Sequence, residues 1–148
     1  MITGFHHVNI TVSDIDRAIA FYRDLLGCEL LPGGGVRDGE EISAGVGIPN
    51  VSMKNEKLRV PHSDVLIELI EYVSVKGAPL PPHSIADFHI GHICLTVADL
   101  DDAYRRLSEK GVKFVSGPVV VKQTGAKFNY AYDPDGNVIE FVQLPPSA

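Results

Sequence analysis

The sequence predicts an α+β fold of two tandem βαβββ modules. Two internal matches, and the alternation of residue type inside them, carry that prediction. FHHVNITVSDID at residues 5–16 returns as IGHICLTVADLD at residues 90–101. A shift of 85 positions puts His7 on His92, Thr11 on Thr96, Val12 on Val97, Asp14 on Asp99, Asp16 on Asp101 and Ala18 on Ala103. A shift of 72 lays VLIELIEY, residues 65–72, on NVIEFVQL, residues 137–144, with Glu68 on Glu140. Two matches in the same order point to a duplicated unit. Polar and aliphatic residues alternate with a period of two in these segments, which is the mark of strands.

Each element follows in turn. Residues 7–12 form the first strand, and Ser13 or Asp14 caps a helix over residues 15–26, whose apolar stripe is Ile15, Ile19, Tyr22 and Leu26. Gly27 ends that helix and a short strand follows. Segment 32–50 is glycine-rich without a clean period, so it reads as a mobile loop holding at most one strand. Strands at 57–60 and 65–72 flank the turn-forming Pro61-His62-Ser63-Asp64. Residues 77–88, GAPLPPHSIADF, form a proline-rich linker between module 1, residues 4–76, and module 2, residues 89–145. The second module repeats the plan. It has a helix over 100–110 ending at Gly111, then strands at 112–115, 126–132 and 137–143, the last two joined by Asp133-Pro134-Asp135-Gly136.

Composition narrows the function. A chain of 148 residues suits one domain, 1–148, or two small modules sharing a core. Its net charge of -6 offers no basic footprint for nucleic acid. No apolar run reaches the ~20 residues a membrane span needs, and Met1-Ile2-Thr3-Gly4-Phe5 does not resemble a secretory leader. Cys28 and Cys94 are too few for a disulfide framework, and both read as reduced, buried thiols. The expectation is a soluble, cytoplasmic protein with a small-molecule ligand and neither nucleic acid nor membrane as partner.

The alternation also sorts side chains by face. His7, Asn9 and Thr11 share one side of their strand, and His92, Cys94 and Thr96 share the matching side. The opposite sides are aliphatic and suit packing under a helix. Glu68 and Glu140 each sit in an apolar strand, a costly place for a carboxylate unless it is paired or bound to a cation. One strand histidine is ordinarily a core or surface residue; the recurrence of all four at matching offsets sets these apart. If the halves face each other, His7, Glu68, His92 and Glu140 form an N2O2 set able to hold a divalent ion. Four ligands leave about two octahedral positions for water or substrate. Asn9, Thr11, Cys94 and Thr96 would line that cavity, with Tyr130 or Asn129 from the strand before the last turn. Lys54, Lys57 and Arg59 are either contacts for an anionic substrate or a solvated charged face.

With HHVNITVSDIDRAIAFYRDLLG, VLIELIEY, GHICLTVADLDDAYRRLSEKGV and YDPDGNVIEFVQ in view, the chain resembles the vicinal oxygen chelate superfamily. That group includes glyoxalase I, methylmalonyl-CoA epimerase, extradiol dioxygenases and the fosfomycin and bleomycin resistance proteins. The resemblance implies two modules curling into a half-open barrel around a metal, with His7, Glu68, His92 and Glu140 as ligands. The four-ligand pattern is similar to that of glyoxalase I and the epimerase. It implies a lyase or isomerase that moves a proton next to a carbonyl through a metal-stabilised enediolate, with Glu140 as first choice of base and Glu68 as second. It also implies one divalent ion (Ni, Co, Mn, Fe or Zn), a substrate with vicinal oxygens, and a homodimer. Two other members of the group give alternatives: an Fe(II)-dependent extradiol-type dioxygenase, or a non-catalytic resistance protein that binds a drug or metabolite. The bacterial glyoxalases carry arginine and asparagine where this chain has Thr11 and Tyr72. A hydroxyl does not replace a guanidinium fork for glutathione's carboxylates. The DPDG turn likewise departs from the longer, histidine-containing turn of the epimerases.

Overall fold

A computed structural model describes residues 1–146. The chain divides into two compact units, Met1–Pro79 and Leu80–Ala148, each built around a mixed sheet that does not close into a barrel. The first unit runs β1 (His7–Thr11), α1 (Ile15–Ile19), a π-helical continuation (Ala20–Leu25), β2 (Glu29–Leu30), β3 (Gly35–Asp38), α2 (Glu40–Val46), β4 (Ser52–Arg59) and β5 (Leu66–Tyr72). The second runs β6 (His92–Thr96), α3 (Leu100–Glu109), β7 (Lys113–Phe114), β8 (Val119–Val120), β9 (Lys127–Tyr132) and β10 (Val138–Gln143). The sheets share one plan: β1-β5-β4-β2 with β3 also on β4, and β6-β10-β9-β7 with β8 also on β9. In each, the first strand lies parallel to the last, and the other pairings are antiparallel.

The repeat extends to the register. Asn9 pairs with Glu68, and Cys94, its equivalent, pairs with Glu140. The aliphatic faces pack inward as the alternation requires: Leu58, Ile67 and Leu69 are fully buried in the first unit, Leu100, Ala131 and Ile139 in the second. Burying one such leucine or isoleucine contributes about 1.5–3 kcal/mol.

Helix starts are held twice over. The Asp14 carboxylate accepts the Arg17 N–H at 2.9 Å, so Asp14 rather than Ser13 is the cap, and Asp99 accepts the Asp102 N–H at 3.0 Å. Each helix is also tied to its sheet. Glu71 Oε2 accepts the Ile15 N–H at 3.1 Å, and Gln143 Oε1 accepts the Leu100 N–H at 2.9 Å. One half uses a carboxylate and the other an amide for the same bond.

Three expectations change. The first helix is α-helical only to Ile19 and then widens, with the Leu26 N–H reaching the Phe21 carbonyl at 3.1 Å. Gly27 lies thirteen residues after its cap Asp14, whereas Gly111 lies twelve after Asp99. The extra residue is absorbed as a π-bulge, so both glycines, at φ 79 and 87, still end their helices. Segment 32–50 is not irregular: it holds β3 and α2, the latter without a buried residue and therefore without a legible apolar stripe. Finally, the strand expected at 57–60 begins at Ser52. Lys54 and Glu56 on one face, Asn55 and Lys57 on the other, hide its period. The strand is central to its sheet, with β5 on one side and β2 and β3 on the other.

Candidate metal and substrate site

In the first unit, β1 and β5 lie side by side and place His7 and Glu68 on the face away from the helix. His7 Nε2 stands 3.1 Å from Glu68 Oε2. Its other ring nitrogen meets the His6 Nδ1 at 2.6 Å, which fixes the ring and leaves Nε2 turned toward the carboxylate. That contact gives His6 a role the sequence reading did not assign it; the adjacent His-His pair was the available signal. Asn9 donates to the Glu68 carbonyl at 3.2 Å, and Thr11 donates to Asn9 at 3.3 Å, so both brace the strand pair on the same face. Lys57, across β4 from Glu68, brings its Nζ to 3.7 Å from Oε1.

The second unit repeats this on β6 and β10. His92 Nε2 stands 3.0 Å from Glu140 Oε2. Tyr130 pairs in register with Glu140 and sets its ring edge-on to His92, with centroids 5.3 Å apart. Asn129, the alternative to Tyr130, points the other way. It is 1% exposed, and neither of its amide atoms has a hydrogen-bond partner. Cys94 is exposed, which corrects the expectation of two buried thiols; only Cys28 is buried. The reason is parity: Cys94 shares the face of His92 and Glu140, not the helix face. Burial of the sulfur atom, then the charge and acceptor oxygen of Glu140, push the Cys94 thiol up to about 11. It therefore stays protonated near neutral pH and adds no thiolate donor. Burial, then Glu140 and Cys94, also raise the Tyr130 hydroxyl. Thr96 lies one step further along the same face.

Both histidine–glutamate contacts bring a ring nitrogen against a carboxylate oxygen, a spacing that an imidazole N–H fills as a hydrogen bond and that a metal ion held by both lone pairs would also fill. Two donors about 2.1 Å from one divalent ion and at right angles to each other lie about 3.0 Å apart. Each pair has that spacing. Nitrogen and carboxylate donors suit the borderline and harder first-row divalent ions. Among the described residues, no group of three or more His, Cys, Asp or Glu side chains that could hold a metal is present, so the structure brings the four residues together as one pair per unit. A cleft of about 370 Å³ opens in the second unit between Pro81, Pro82 and His83 of the linker and Tyr132 and Asp135. Tyr132 is across β10's Val138 from His92, so the cleft adjoins the site face.

Residues 4–141 match the model of the Glyoxalase/Bleomycin resistance protein/Dioxygenase superfamily. A relative from Synechocystis named "Probable lactoylglutathione lyase" is 30% identical over 137 residues, covering 93% of this chain and 92% of its own. A glyoxalase family protein from Bacillus cereus superposes with a TM-score of 0.85 at 20% identity, over 97% of this chain and 95% of that one. The fosfomycin resistance protein FosX from Listeria monocytogenes, solved with Mn(II) and sulfate, superposes with a TM-score of 0.63 at 18% identity, over 99% and 96% of the two chains.

Proposed function

Because the chain belongs to the Glyoxalase/Bleomycin resistance protein/Dioxygenase superfamily, we propose that it is a divalent-metal-dependent lyase or isomerase that moves a proton next to a carbonyl. In this reading His7, Glu68, His92 and Glu140 are the ligands of one ion. The observation that carries it is the doubled contact: an imidazole nitrogen 3.1 Å and 3.0 Å from a carboxylate oxygen at equivalent places in both units. A Synechocystis relative named as a lyase, and a structural neighbour solved with Mn(II), support the same chemistry.

When bound, the ion supplies positive charge against the negative charge that builds on a substrate oxygen as the adjacent C–H ionises. The residues do the rest. His6 orients the His7 ring, and Asn9 holds the backbone beneath Glu68. Glu140 takes the proton and returns it. Its neighbours are neutral, a thiol and a phenol, while Glu68 is engaged by the Lys57 ammonium, so Glu140 is the freer base.

Metal analysis tests the reading. Chelator-stripped protein titrated with Ni(II), Co(II), Mn(II) or Zn(II) is expected to take up one equivalent, and His7→Ala and Glu140→Ala to weaken that uptake at least about tenfold. The loaded protein is expected to exchange carbon-bound hydrogen of an α-hydroxy carbonyl compound for solvent deuterium. Full stoichiometric metal in both variants would overturn the site.

A further inference from the structure

We propose that Lys57 makes the ligand of this site a small monoanion, an α-hydroxy or α-oxo carboxylate whose charged group lies against the Lys57 ammonium. The inference rests on the metal-site reading above and adds the class of substrate.

Three cations project from β4, and they meet different fates. Lys54 pairs with Glu71 at 3.2 Å on the helix face, and Arg59 pairs with Glu29 at 3.0 Å. Both are matched by carboxylates that have no other role in the site. Lys57 and Arg59 share the face of His7 and Glu68, but Arg59 is taken by Glu29; Lys57 is half-exposed, and the carboxylate within its reach is Glu68 at 3.7 Å. Glu68 is already committed to His7 through its other oxygen. Once its charge is shared with a metal ion, the Lys57 ammonium has no counter-charge left.

The duplicated plan sharpens the point. The register partner of Glu140 is Tyr130, so the position beside the second glutamate is neutral where the first is cationic. With the Glu68 charge shared, the Lys57 ammonium keeps a positive charge on this face of the first unit. One negative charge on the ligand balances it. A carboxylate next to a hydroxyl or oxo group places one oxygen pair for a cation and the remaining charge for the ammonium. Charge-assisted hydrogen bonding to a partly desolvated lysine then discriminates against neutral hydroxyketones.

The test uses the full chain loaded with Mn(II), in wild type, Lys57→Gln and Lys57→Arg. Mn(II) affinity is measured first by calorimetry. Glycolate, an anion, and hydroxyacetone, its neutral counterpart, are then titrated while water-proton relaxation reports displacement of metal-bound water. Lys57→Gln is expected to weaken glycolate about tenfold and hydroxyacetone less than about twofold, with Mn(II) bound as tightly as in wild type, while Lys57→Arg keeps glycolate within about threefold. Equal losses for both ligands, no glycolate binding by wild type, or loss of Mn(II) in Lys57→Gln would overturn the assignment, the last by showing that Lys57 only positions Glu68. If wild type binds no Mn(II), the metal-site reading itself falls, and the first titration shows this before any anion is added.

Discussion

Glu71 carries a pH dependence that its counterpart Gln143 does not. It is 8% exposed. Burial works to raise its pKa, but the Ile15 N–H, then Lys76 and Lys54, outweigh burial and hold the carboxyl below its ordinary value. A group with a depressed folded-state pKa adds stability above its unfolded pKa, about 4.3 for glutamate, and loses it as pH falls through the folded value. Thermal stability is therefore expected to fall below about pH 4.3 more steeply in wild type than in Glu71→Gln. At pH 7 that variant keeps an acceptor for the Ile15 N–H and is expected to lose only about 1 kcal/mol in urea unfolding. Parallel acid profiles for the two proteins would remove Glu71 as the cause. Gln143 in the second half shows that the bond can be made without the charge.

At the scale of elements, the π-bulge makes a prediction about length. Deleting Asp24, exposed beside Arg23, takes away the surplus residue and gives the first helix the spacing of α3. It is expected to cost less than about 2 kcal/mol in urea denaturation, since surface pairs contribute at most about 1 kcal/mol. Deleting Ser108 from α3 turns everything after it by about 100° and misaligns the approach to Gly111, so a clearly larger loss is expected. Equal costs would mean the bulge is not an insertion. In the sheets, Leu69→Ala, at a fully buried site between β1 and β4, is expected to cost about 2–5 kcal/mol by the same measurement.

Across the whole molecule, residues 73–91 contain no helix or strand, and Phe88 within them is 92% exposed. Brief chymotrypsin treatment is expected to make its first internal cut after Phe88, giving fragments of residues 1–88 and 89–148, read by mass spectrometry. A first internal cut inside either sheet would contradict that. The same scale is where family membership and local detail part. The match over residues 4–141 brings a fold shared by proteins of several activities.

The sequence by itself determined the doubled plan and the faces of β1, β5, β6 and β10; that β1 lies beside β5 and β6 beside β10 came from the structure. Period-two alternation and matched offsets are local properties, and every residue that carries them lies in a strand with one apolar face. Only the tertiary structure decided the rest. β4 extends back to Ser52 because neighbours on both sides supply hydrogen bonds that its charged residues do not advertise, and α2 forms without an apolar stripe because it buries none. Asn129 and Tyr130 were separated by a register that depends on β10, and Lys57 came beside Glu68 because β4 and β5 are adjacent in space. Each of these turns on which backbone lies beside which, a contact between distant residues that periodicity along one segment does not encode.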